Sequence, residues 1–162
     1  MNPTDYQNQA AISLPGPSTI VGMVADADAL TLRLLYAVCG LAGECAEWLE
    51  DVHRGEFDLA LGEAGDVLFY VAATCTALKM DLSEIMDGAS GDPEADPAEI
   101  TLRSCEIVNI VQRAIFYGRE IGVDMIRLNL AMLVTHLVVL HSVEAIMAAS
   151  LDRCAKKRRV QR

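Results

Sequence analysis

Apolar positions recur along most of this chain at steps of three and four, the spacing of one face of an α-helix. Between about Asp26 and Arg54 the stripe is Val38, Leu41, Cys45, Trp48 and Val52, and Gly55 follows as a stop. From about Leu59 to Met80 it is Ala64, Leu68, Val71, Cys75 and Leu78. The middle of that segment, VLFYVAATCTAL, is apolar nearly all round, which predicts a buried central helix. Asp81-Leu82-Ser83 restarts a short helix ending near Met86, and three more helices are predicted at about 98–117, 124–141 and 143–159. Residues 1–25, broken by Pro15-Gly16-Pro17, read as an irregular arm, and DGASGDPEADP (87–97) as a linker of turn formers. Gly40 and Gly43 cost ~1 kcal/mol each against Ala inside the first long helix. They imply either close backbone packing or a break into two helices. No segment alternates with period two over a β-branched run. The expected fold is therefore all-α, a bundle of about five helices in one domain spanning 1–162.

A weak internal echo divides that domain. GECAEWLEDVHR (43–54) is similar to LRSCEIVNIVQR (102–113), and DVLFYVAATC (66–75) to MLVTHLVVLH (132–141), the offset of 59 residues becoming 66. Duplication of a helix pair explains this, and so does the general likeness of amphipathic helices. The division falls at the linker, with one half at about 26–86 and a degenerate helical half at 98–160.

Composition narrows the classes. Hydrophobic residues make up 52% and charged ones 22%, which excludes a disordered or low-complexity chain. Thirteen basic against 23 acidic side chains give a net charge of −10, so no broad nucleic-acid-binding face is expected. Aromatic content of 5% argues against a surface for stacking single-stranded bases. Five cysteines without a C-x-x-C pair fit a reducing compartment better than a disulfide framework. The longest apolar runs, Val67–Leu78 and Leu128–Leu140, fall short of the ~18–20 residues that cross a bilayer. A soluble cytoplasmic protein with no membrane partner is expected.

The chemistry lies in carboxylates. Glu44-x-x-Glu47 sits on the first long helix and Glu63-x-x-Asp66 at the start of the second. Residues three apart share a helix ridge, and the short loop around Gly55–Asp58 makes the helices antiparallel neighbours. Four acids converging across that seam repel one another unless a cation sits between them. Hard oxygen donors around a gap suit Mg²⁺ or Mn²⁺, which in turn favour phosphate oxygens as further ligands. The plainer alternative is four solvated acids on amphipathic helices.

The wording GLAGECAEW (40–48), EAGDVLFYV (63–71) and ALKMDLSEIM (77–86) resembles the MazG-like family of all-α nucleoside triphosphate pyrophosphohydrolases. That family's signature is E-x-x-E, a spacer, then E-x-x-D. Glu44, Glu47, Glu63 and Asp66 fall on its four positions, with 48–62 as spacer. The resemblance covers residues 30–86 and implies a four-helix core. It further implies Mg²⁺- or Mn²⁺-dependent hydrolysis of a nucleoside triphosphate, most readily a dNTP, to the monophosphate and pyrophosphate. It implies the four acids as metal ligands, Glu47 as the inner, catalytic acid that also helps orient the attacking water, and a homodimer or homotetramer.

The family often closes with an Asn-x-x-Lys-Leu…Arg-Tyr segment. Here RCAKKRRV (153–160) puts Arg153 in place of the Asn and keeps Lys156. Arg153 and Lys156 are the candidate phosphate contacts of that segment. Arg54 and Arg113, at matching points of the two halves, are further substrate-binding candidates. In the second half, Arg103, Glu106, Asn129 and Met132 replace the four acids, so a second metal site is not expected there. The altered second half leaves an alternative: a non-catalytic nucleotide-binding or regulatory module of the same descent. Glu50-x-x-His53 has the form of a di-iron ligand pair but lacks a second such pair. Trp48, His136 and His141 read as interior side chains.

Overall fold

The computed structural model describes residues 3, 7, 12, 16–25, 27–89 and 96–160, without the side chains of 17, 153, 154 and 156–160. Among these residues there are seven helices and no strand. They are α1 (Pro17–Ala25), α2 (Ala29–Arg54), α3 (Phe57–Leu78), α4 (Leu82–Asp87), α5 (Glu99–Tyr117), α6 (Val123–Leu140) and α7 (Val143–Val160). The all-α expectation holds, with two more helices than the approximate five.

One difference is α1, which replaces the C-terminal part of the expected irregular arm. Pro17 is its first residue, a position where the missing N–H costs nothing and the fixed φ already suits a helix. Elsewhere local chemistry sets the ends. Asp28 caps α2 by accepting from Thr31 N at 2.7 Å, and Gly55 closes it at φ 73°. Asp81 caps α4 through Ser83 N at 2.9 Å, and Gly118 ends α5 at φ 60°. The chain then leaves α6 at His141 in extended form, and Ser142 Oγ accepts from Ala145 N at 3.2 Å to start α7.

Helix α3 is the central element, with α2 packed along one side and α7 along another. Helix α5 covers α2, α6 packs on α5, and the short α4 bridges towards α6. Both predicted stripes face inward: Val38, Leu41, Cys45 and Trp48 of α2 are buried, as are Ala64, Leu68, Val71 and Cys75 of α3. Helix α2 runs unbroken through Gly40 and Gly43. At Gly40 the reason is contact, since a Cβ there would lie 2.3 Å from Tyr70 Cε1. Gly65 of α3 is tighter in kind, because its Cβ would meet the α7 backbone at Ser150 N, 2.6 Å away. Nothing lies within 4 Å of a Cβ at Gly43.

Helices α2, α3 and α6 are long and apolar enough, by length and composition, to cross a membrane, which corrects the shorter estimate taken from uninterrupted apolar runs. The difference arises because a helix counts small and weakly polar residues toward its span. The most apolar window of α3 is 56% buried against its neighbours.

Candidate metal centre

Antiparallel packing of α2 on α3 sets the acidic ridge of each helix against the other. Glu44, Glu63 and Asp66 each offer a carboxylate oxygen within 4.8 Å of the other two. Two oxygens bound to one divalent cation at ~2.1–2.5 Å can be separated by no more than ~4–5 Å, so this spacing fits a shared ion. Asp66 is buried, Glu44 and Glu63 are half-buried, and the group opens outward past Glu44 and Glu63.

Crowding leaves an electrostatic signature. The Glu44 carboxyl is pushed up to about 7, first by burial, then by the Asp66 charge, with smaller contributions from Glu47 and Glu63. A hydrogen bond to Glu63 also holds its proton. Three acids so close relieve their repulsion either by retaining a proton, as here, or by taking a cation. All donors are hard oxygens, which fits Mg²⁺ or Mn²⁺ rather than a softer metal.

Glu47 stands apart from this triad. It is exposed, one turn along α2, and close enough to raise Glu44 electrostatically. At 100° per residue it points ~60° away from Glu44, on the side farther from the core. The expected set of four is thus three convergent oxygens and one acid at the rim, and Glu47, expected as the inner acid, is the outermost of them because its place on α2 turns it away from α3.

One turn in the other direction lies a part of the site that the sequence reading missed. Tyr70, four residues after Asp66, lays its ring over Gly40, four residues before Glu44. Its hydroxyl donates to that of Tyr36, and together with burial this pushes it up to about 12, so it stays protonated. The charges of Glu44 and Asp66 contribute to the same rise, which places the ring within their field. The i,i+4 steps 36–40–44 and 66–70 were legible, but nothing in them says that one tyrosine crosses to meet the other.

The basic candidates scatter. Arg54 is exposed and paired with Glu50 of its own helix, which also engages the carboxylate of the di-iron-like pair. Arg113 lines a cleft of ≈ 830 Å³ at the α5–α6 turn, together with Tyr117, Arg119 and Glu120, and none of the four acids lines it. The side chains of Arg153 and Lys156 lie outside the described residues. In the second half, Arg103 pairs with Glu99 at 2.9 Å and with Glu106 at 3.3 Å. Asn129 Nδ2 donates to the Met125 carbonyl at 2.9 Å. Arg103, Glu106 and Asn129 thus each pair within their own helix, and Ser104 touches Cys45, its partner at the 59-residue offset, where α5 packs on α2.

Compared with protein families, curated proteins and solved structures, the chain matches none.

Proposed function

We propose that this chain is a divalent-cation-dependent nucleoside triphosphate pyrophosphohydrolase of the MazG-like kind, acting on a dNTP. The single observation that carries the reading is the convergence of Glu44, Glu63 and Asp66 within 4.8 Å across the α2–α3 seam. Mg²⁺ or Mn²⁺, when bound, supplies charge neutralisation of the polyphosphate and acidification of a water. Glu44, Glu63 and Asp66 would hold that charge at the α2–α3 seam, oriented by the helices on both sides. Glu47, at the rim and exposed, accepts a proton from the attacking water and directs it at the α–β anhydride. Water adds across that linkage, the bridging P–O bond breaks, and the products are the monophosphate and pyrophosphate.

The same reading places the protein in the cytosol among its substrates. The exposed apolar Val21, Leu30 and Leu32 on α1 and α2 support a homodimer or homotetramer. Arg153 and Lys156 remain the candidate phosphate contacts.

Incubation with each dNTP and NTP in the presence of Mg²⁺ or Mn²⁺, with products resolved by anion exchange, tests the proposal. The expected products are monophosphate and pyrophosphate. Diphosphate with orthophosphate, or no turnover of any nucleotide, overturns it. Metal-dependent nucleotide binding without turnover points instead to the non-catalytic module. Glu47→Gln and Asp66→Asn are each expected to lose about 10²-fold or more in kcat while keeping the helical circular dichroism of the parent.

A further inference from the structure

Resting on the reading just given, we infer that Tyr36 is the platform on which the substrate's base lies, which makes a nucleoside, and not polyphosphate alone, the preferred ligand.

Tyr36, Gly40 and Glu44 follow at four-residue steps along α2, so Tyr36 stands ~12 Å along the helix axis from the acid that faces the metal. That separation suits a ligand whose phosphates reach the carboxylates while its base extends along α2 towards Tyr36. At 100° per residue Tyr36 lies ~20° from Glu47 around the helix, hence on the same open flank.

The ring is also held in place. Tyr36 is 68% exposed, yet its hydroxyl accepts the hydrogen bond from Tyr70, whose own ring is 8% exposed and wedged over Gly40. The ring centroids are 6.0 Å apart with planes inclined by 59°, so the two rings are tilted against one another rather than stacked face to face. A largely exposed aromatic ring beside the acidic cluster offers a stacking surface for a base. Stacking tolerates every base, so this element recognises the nucleoside class rather than one member.

Calorimetric titration of the full chain in Mn²⁺ separates the possibilities, with two probes: a non-hydrolysable α,β-methylene dNTP and inorganic tripolyphosphate. Tyr36→Ala is expected to weaken the nucleotide analogue about ten-fold and to leave tripolyphosphate within two-fold. Tyr36→Phe, which keeps the face, is expected to retain most of the nucleotide affinity. Equal loss for both probes, no loss for either, or no binding of the analogue to the parent chain overturns the inference. So does a change of oligomeric state by Tyr36→Ala in sedimentation, which would mean that a second copy covers the ring. Product analysis keeps this distinct from the hydrolase reading. Stacking-dependent binding without turnover sinks only the hydrolase, whereas turnover indifferent to Tyr36→Ala sinks only the platform.

Discussion

A carboxyl that titrates near 7 is half protonated at the pH where a divalent cation needs it bare, and Glu44 is in that position. Cation binding must therefore release a proton around neutrality. Mn²⁺ affinity is expected to rise with pH up to about 7 and then flatten, and calorimetry in two buffers of different ionisation enthalpy counts the protons released. The metal-free protein should behave oppositely. Because the folded-state value of Glu44 is raised from 4.5 to about 7, the folded chain holds the extra proton between those limits. Its contribution to stability is fully present below pH 4.5 and is lost as pH rises through about 7. Urea unfolding in EDTA across that window should show the decline, and Glu44→Gln should flatten it. At this scale the sequence paired the acids but did not say which of them converge. Glu44 and Glu47 differ by ~60° around one helix, and that angle decides which one meets α3.

Three of the helical glycines, Gly40, Gly43 and Gly65, separate intrinsic propensity from packing at the level of elements. A Cβ at Gly43 meets open space, so Gly43→Ala should stabilise α2 by up to ~1 kcal/mol through propensity alone. A Cβ at Gly40 overlaps the Tyr70 ring, so the same change there should destabilise by ~1–3 kcal/mol. Gly65→Ala should cost more than Gly40→Ala, since the obstructing atoms belong to the α7 backbone and cannot rotate away. Thermal melts of the three variants check both sign and order. The pattern of apolar positions located α2 to α7 within a few residues, because capping groups such as Asp28, Gly55 and Asp81 mark the ends chemically. It missed α1, whose Pro15-Gly16-Pro17 opening was read as a breaker although Pro17 is suited to a first helical turn.

In the molecule as a whole, the acidic cluster couples to global stability. An ion bound only by the folded chain should stabilise it by about 2.7 kcal/mol at a hundred times its dissociation constant. The Tm is accordingly expected to rise with Mn²⁺ and return on adding EDTA. A chain carrying Asp66→Asn should show little of that response. Trp48, the only tryptophan and fully buried between α2 and its neighbours, reports on the same transition. Its emission should be blue-shifted in the folded state and move to the red in one step with the loss of helix. The two halves also differ at this level. Where the first half has Glu44 and Glu47, the second has Arg103 and Glu106, a cation paired with an acid, and Arg103 pairs with Glu99 as well.

The sequence by itself determined the all-α class, the positions of α2 to α7, the buried stripes and the pair of acidic motifs, because each depends on neighbours within a turn or two of the same helix. Tertiary structure decided which acids converge, that Glu47 stands at the rim, and that Tyr70 crosses Gly40 to hold Tyr36. Those outcomes depend on the rotation and axial register of α2 against α3. A helix's own periodicity leaves both free until the two surfaces pack.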